Sequence, residues 1–365
     1  MARIVQIVAD GRPGGGTTAV LTLSGLLAAR GDEIVLVTQQ DSYLVSQTRQ
    51  AGLRVVGLDF SSRKQSIRLA VQLWRLLNEI DPAIVHVHGG RAALPMALIP
   101  HPCPVIYTVH GFHFLHKRPG VYQLAYLAEA LCIARANCTV LVSDADYAVA
   151  KRLHLLRLSR AQSVIKNAVS VNGQMAIDKQ YDIGFVGRLH FQKNPLILVD
   201  ILKAMRPARP SLCVIGGGDL AEELETRLVQ EGLREQVHLT GECDRTRALH
   251  LLSACRLMVL PSRWEGHPIA LIEAMLLGIP AVASDISGNN EIVVDGQTGY
   301  LVPPTDVNGY ADRLLELLED DSLRARMEVD ARAIAARDYS LDRMVTAYRA
   351  IYDGVAMGVF QELPA

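Results

Sequence analysis

The sequence is poor in aromatic residues, 5% of 365, and its six cysteines (Cys103, Cys132, Cys138, Cys213, Cys243 and Cys255) include no Cys-x-x-Cys pair. The first scarcity leaves few stacking platforms for bases, and no nucleic-acid recognition motif accompanies it, so nucleic acid is not an expected partner. The second argues against a zinc site or a disulfide framework and predicts reduced, mostly buried thiols. Net charge is only -1 and no low-complexity tract is present, which excludes a disordered chain. The longest stretch free of Asp, Glu, Lys and Arg, Ala92 to His116, could span a bilayer by length, but Pro95, Pro100, Pro102 and Pro104 break any helix there. The opening MARIVQIVADGR has too short an apolar run for a secretory leader, so the sequence predicts a cytoplasmic chain.

At roughly 100–200 residues per domain, the length suits two domains. Charge is unevenly shared between the halves: residues 1–170 hold 18 Lys and Arg against 10 Asp and Glu, residues 171–365 hold 19 against 28. A basic half can attract an anionic membrane or a phosphorylated substrate.

Runs of aliphatic and β-branched residues recur at 2–9, 33–38, 54–58, 83–88, 104–109 and 138–142, each followed by a segment of helix length. The rhythm restarts after the irregular stretch 166–180, with strands expected at 181–187, 211–215, 236–240, 257–260 and 280–284. Such alternation predicts an α/β protein of two doubly wound, parallel, Rossmann-like sheets facing across a cleft. Ligands of open α/β sheets bind beyond the carboxyl ends of the strands, so chemistry is expected in the loops that follow them.

Three of those loops carry suitable residues. Gly14, Gly15 and Gly16 precede a helix, and bare amides at a helix N-terminus suit an anion. Gly14-x-Gly16-x-x-Ala19 also fits a dinucleotide fingerprint, with Asp41 near the ribose-binding distance, but Asp10 to Pro13 intervene after the strand. Arg188 and Lys193 flank a turn after a strand and can converge on one diphosphate. Glu265 and Glu273 lie eight residues apart, with Pro268 placed to open a helix, so Glu265 is expected in the loop and Glu273 inside the helix. The amides of Ile269 and Ala270 would sit at that helix N-terminus. A carboxylate among Leu271, Ile272, Ala274 and Met275 needs a ligand or an ion-pair partner. Asp144-Ala145-Asp146 imitates a metal-binding Asp-x-Asp, but after the strand ending near Val142 it reads as opening and capping the next helix. Two basic amphipathic stretches, 62–80 and 151–160, suit either sheet-covering helices or an anionic membrane surface.

Taken together, Gly187-Arg188 with Lys193, Glu265 and Glu273 followed by Glu-Ala-Met and Gly-x-Pro, the segment 284–304, HVHGGRAALPMAL (86–98) and YTVHGFHF (107–114) resemble the retaining glycosyltransferase family 4, of GT-B fold. The resemblance covers nearly the whole chain. It implies an acceptor-side domain at 1–168, a sugar-nucleotide domain at 175–341, and a C-terminal helix, 342–365, packed back on the first domain. It further implies that Arg188 and Lys193 bind the donor pyrophosphate, Glu273 the ribose hydroxyls and Glu265 the donor sugar. Gly15 and Gly16 would approach the diphosphate, and His110 would lie beside the donor sugar. The departure Gly266-His267-Pro268, where many relatives have Gly-Phe-Gly, removes one amide from the set Gly266, His267, Ile269 and Ala270 and leaves sugar identity open. The implied activity is metal-free and cofactor-free hexosyl transfer, from a nucleotide sugar (UDP favoured) to a saccharide or polyprenyl-diphosphate-linked saccharide. Its setting would be cell-surface polysaccharide or lipopolysaccharide synthesis, peripheral on the inner face of the membrane. A non-hydrolysing UDP-sugar 2-epimerase of the same fold is the alternative, although residues 86–118 hold no Asp or Glu for its acid/base chemistry. An NAD-dependent oxidoreductase rests on the glycine match alone.

Overall fold

The structure, a computed structural model, describes residues 2–61, 66–101, 103–171, 175–176 and 178–359. The chain divides into two compact units, residues 1–167 with 341–365, and residues 168–340.

The first unit is built on seven parallel strands: β1 (Arg3–Val8), β2 (Glu33–Gln39), β3 (Arg54–Leu58), β4 (Ile84–His88), β5 (Val105–Val109), β6 (Cys138–Leu141) and β7 (Gln162–Val164), in the order β3-β2-β1-β4-β5-β6-β7. Between them run α1 (Gly15–Ala29), α2 (Tyr43–Gln50), α3 (Ser66–Ile80), α4 (Gly90–Ala97), α5 (Val121–Arg135) and α6 (Asp144–Arg152). The strands read as nearly unbroken apolar runs because helices bury both faces. Val5, Ile7, Val85 and Val87 are fully buried against Leu73 and Leu77 of α3.

The second unit holds β8 (Tyr181–Val186), β9 (Leu212–Ile215), β10 (Val237–Leu239), β11 (Cys255–Leu260), β12 (Ala281–Ser284) and β13 (Gly299–Val302), parallel in the order β10-β9-β8-β11-β12-β13. Its helices are α7 (Ile197–Ala204), α8 (Ala221–Gln230), α9 (Arg245–Ser253), α10 (Ile269–Leu277), α11 (Val307–Glu319) and α12 (Asp321–Asp338). Phe185, Val214, Leu257, Val259 and Leu314 form its core. The last helix, α13 (Leu341–Ala356), belongs to the first unit, where Tyr348 and Tyr352 are buried.

Several expectations change. The edge strands β7 and β13 were not anticipated. Residues 151–160 do not form an amphipathic helix: Lys151 and Arg152 end α6, His154 takes a left-handed conformation, and a short 3-10 turn follows at Leu155–Leu158. Asp144 opens α6 as expected, but Ser143, and neither aspartate, is its cap, accepting from the Asp146 amide, while Asp144 pairs with Lys166. Arg63 and Lys64 lie outside the described residues. All six cysteines are free thiols, four of them buried. Among the described residues no helix is long and apolar enough to cross a membrane.

Candidate functional site

In the second unit the loops after β8 and β11 are laced together. Past β8, Gly187 and the exposed Arg188 lead into a 3-10 turn at Phe191–Lys193. The Arg263 amide donates to the Gln192 carbonyl at 2.7 Å, and the Gln192 side-chain amide donates to the Trp264 carbonyl at 3.0 Å. This lacing brings Lys193 Nζ to 2.6 Å from Glu265 Oε1, with the glutamate side chain 6% exposed. Ser262 Oγ donates to the same oxygen at 2.6 Å. Behind it, Ser284 Oγ donates to the Ser262 carbonyl and accepts from the buried Tyr310 hydroxyl. Glu265 is thus held in a fixed orientation by a cation in front and a hydroxyl chain behind.

Pro268 stands at the N-cap of α10, one place before the first helical position expected for it, and Ile269 and Ala270 open the helix. Glu273 lies within α10 and is buried, so burial pushes its carboxyl above the usual range while the neighbouring Arg245 guanidinium opposes that shift. Arg245, the first residue of α9, donates through Nε to Glu273 Oε1 at 2.8 Å and through a terminal nitrogen to the Ser170 carbonyl at 2.6 Å. Sequence reasoning missed Arg245, although an acid on an apolar helix signals that such a partner must exist. His267 is buried with its ring edge-on to Tyr339, 5.6 Å between centroids, so its side chain faces inward and only its backbone is left for a donor.

A further glycine loop, Gly216 to Gly218 after β9, packs against the same region. A Cβ on Gly216 would stand 2.2 Å from the Gly187 carbonyl oxygen, and one on Gly218 within 3 Å of the Leu189 backbone. Only glycine allows that approach, which fixes the turn carrying Arg188.

In the first unit, Gly15 and Gly16 open α1 beyond the end of β1, and Gly14 is its N-cap. All three are exposed, and a Cβ at Gly14 or Gly16 would meet nothing within 4 Å, so the amides at this helix start are open to approach. His110 directly follows β5, and its Nε2 lies 3.1 Å from His88 Nδ1. Burial pushes its basicity down to about 4, with His113 adding to the effect. The site residues therefore fall into Arg188, Lys193, Glu265, Gly266, His267, Ile269, Ala270 and Glu273 in the second unit, and Gly15, Gly16 and His110 in the first.

Residues 13–172 match the family Glycosyltransferase Family 4, and residues 172–333 match Glycosyl transferases group 1. Alpha-D-kanosaminyltransferase of Streptomyces kanamyceticus is 29% identical over 308 residues, covering 76% of this chain and 79% of that protein. The UDP-Gal:alpha-D-GlcNAc-diphosphoundecaprenol alpha-1,3-galactosyltransferase of Escherichia coli is 27% identical over 317 residues, 79% of each chain. The crystal structure of Anabaena HepE in complex with UDP and glucose superposes with a TM-score of 0.83 at 20% identity, covering 97% of this chain and all of that one. With two parallel Rossmann-like sheets and two contiguous family matches, the chain belongs to the family 4 and group 1 glycosyltransferases of GT-B fold.

Proposed function

We propose that the protein is a retaining, metal-independent hexosyltransferase that moves a sugar from a UDP-sugar to a saccharide or lipid-linked saccharide in cell-surface polysaccharide or lipopolysaccharide synthesis. The observation that carries this reading is the meeting of Lys193 and Glu265 beside exposed Arg188 at the carboxyl ends of β8 and β11, with Glu273 on α10. The Escherichia coli enzyme, named for a UDP-Gal donor and a diphosphoundecaprenol acceptor, and the UDP-bound HepE support the donor and acceptor classes.

In this reading Arg188 grips the diphosphate by its planar fork and Lys193 by point charge, and with the N-terminus of α10 they supply the cationic field a metal otherwise would. Glu273 accepts from the ribose hydroxyls. Glu265 lies against the sugar, where it opposes the positive charge that develops at the anomeric carbon, and His110 is assigned to a sugar hydroxyl. The diphosphate leaves on the face that the acceptor hydroxyl attacks, so configuration is retained without a covalent enzyme intermediate.

The test combines a thermal-shift panel of UDP, GDP, ADP and NAD with anomeric NMR of the product formed in excess EDTA. A ligand at about 100 times Kd adds roughly 2.7 kcal/mol of stability. UDP should stabilise most, and the product should keep the donor's anomeric configuration. Stabilisation by NAD alone would return the oxidoreductase, free 2-epimerised sugar the epimerase, and activity lost to EDTA and restored by manganese would overturn metal independence.

A further inference from the structure

The face of the first unit's sheet that meets α13 carries an unusually polar row for a core. Gln6 of β1, His86 and His88 of β4 and Thr108 of β5 are all at most 4% exposed, and Tyr352 of α13 is 2% exposed. Their hydrogen bonds form one connected chain. Gln6 Nε2 meets the Tyr352 hydroxyl oxygen at 3.3 Å, and His86 Nδ1 meets the same oxygen at 2.7 Å. His86 Nε2 lies 2.7 Å from Thr108 Oγ1, His88 Nε2 lies 2.6 Å from Gln6 Oε1, and His88 Nδ1 lies 3.1 Å from His110 Nε2.

A donor must face an acceptor at every link, and with the Gln6 amide oriented oxygen toward His88 and nitrogen toward Tyr352 that requirement sets the protons. Gln6 uses its carbonyl oxygen toward His88, so His88 Nε2 carries the hydrogen and His88 Nδ1 holds a lone pair. His110 Nε2 must then be the donor toward His88, which leaves His110 Nδ1 as the acceptor nitrogen. At the other end, the Gln6 amide donates to the Tyr352 oxygen, so the Tyr352 hydroxyl proton goes to His86 Nδ1, and His86 Nε2–H goes to Thr108. Each link is satisfied in this arrangement, and with Gln6 so oriented a reversed His110 would place two lone pairs against each other.

We infer that Gln6, His88 and Tyr352 are positioning residues that lock the His110 imidazole in its Nε2–H tautomer, so that Nδ1 is presented as a hydrogen-bond acceptor for a hydroxyl of the donor sugar. The relay begins on α13, the segment that follows the second unit in sequence, and ends on the residue after β5. Its effect on turnover rests on the proposed role of His110, whereas the tautomer itself does not.

The experiment uses the full chain labelled with 15N-histidine, the His110 resonance being assigned by its loss in His110→Gln. Long-range 15N–1H correlation in the wild type should show His110 as the Nε2–H form. Tyr352→Phe removes a single oxygen, and Gln6→Met breaks the link to His88 at nearly constant volume. In both variants the His110 signals should move toward a mixture of tautomers. In both, kcat should fall about three- to tenfold at unchanged donor KM, which is about 0.7–1.4 kcal/mol and within the range of one misaligned hydrogen bond. An Nδ1–H tautomer in the wild type, or an unaltered tautomer in both variants, overturns the relay. A shifted tautomer with unchanged kcat overturns the positioning role, and His110→Ala turning over at the wild-type rate would place the failure in the assignment of His110 itself.

Discussion

Arg188 and Lys193 were paired by sequence as two cations of one diphosphate site, yet their surroundings differ, and so should their variants. Arg188 is exposed, so Arg188→Ala should weaken UDP binding about 10- to 150-fold, as expected for one charge-assisted hydrogen bond, and leave the melting temperature in place. Lys193 neutralises a glutamate that is 6% exposed, so Lys193→Ala should lose affinity and also destabilise the fold by about 3 kcal/mol. Equal melting temperatures for the two variants would mean that the Lys193–Glu265 pair is not formed in solution. The two glutamates separate in the same way. Glu273→Gln should raise the dissociation constant for UDP, whereas Glu265→Gln should lower kcat more than it changes KM, because its partner acquires charge only in the transition state. Calorimetry of UDP binding beside steady-state transfer reads both, and abolition of binding by Glu265→Gln alone would reverse the assignment. The positions of Arg188, Lys193 and Glu265 were legible because each lies in a loop after a strand, and that of Glu273 because a carboxylate stands on an apolar helix. Their partners were not, since the Arg245–Glu273 and Lys193–Glu265 pairs join residues 28 and 72 positions apart, and only folding brings them together.

Among the elements, β4 shows most clearly what a buried strand demands. All five of its residues, IVHVH, are buried, and the alternation that places Val85 and Val87 in the apolar core turns His86 and His88 toward α13. Burial pushes His86 down to about 3, His88 well below its ordinary value and His110 to about 4, so all three stay neutral in the folded protein at neutral pH. Below about pH 6.5 the unfolded chain binds protons that the folded one refuses, so stability should fall as pH drops from 6.5 toward 4. Glu129 of α5 works in the opposite sense: burial raises its carboxyl to about 7, opposed by the Tyr107 hydroxyl that donates to it at 2.6 Å and reinforced by the nearby Asp146. Its contribution is complete below about pH 4.5 and is lost as pH rises through 7. Melting temperatures from pH 4 to 8 should therefore rise from the acid side and level off near neutrality, and Glu129→Gln, which removes a titration that opposes the histidines between about pH 4.5 and 7, should steepen that rise and leave the range above pH 7 flat. An acid limb that persists in Tyr352→Phe but disappears in Glu129→Gln would assign the titration wrongly. Among strands, the central ones were legible because they are apolar throughout. The edge strands β7 and β13 were not, because QSV has one apolar position in three and GYLV is only four residues long, too short for a period to show. KRLHLLRLSR has helical periodicity, but the left-handed His154 stops the helix and Leu155 is buried in a 3-10 turn instead.

At the scale of the whole molecule, the charge asymmetry of the sequence follows the boundary of the structure. The unit made of residues 1–167 and 341–365 holds 20 Lys and Arg against 13 Asp and Glu, and the unit 168–340 holds 17 against 25. Within the basic unit, α3 exposes Arg68 and Arg75 on the same helix as exposed Ile67 and Trp74, a blend of cationic heads and apolar side chains that suits an anionic lipid surface. Each Lys or Arg near such a surface contributes about 1 kcal/mol, and the attraction is confined to roughly 8–10 Å in physiological salt. Sedimentation with vesicles should find the protein on membranes containing phosphatidylglycerol at about 0.05 M salt and released at about 0.5 M, where the screening length is roughly halved or less. Vesicles of phosphatidylcholine alone should not retain it. The double variant Arg68→Glu/Arg75→Glu, which alters exposed side chains and so should keep the melting temperature, should lose most of the anionic binding. If the variant sediments like the wild type, α3 is not the contact, and if phosphatidylcholine retains the protein equally, charge is not what draws the basic unit to lipid.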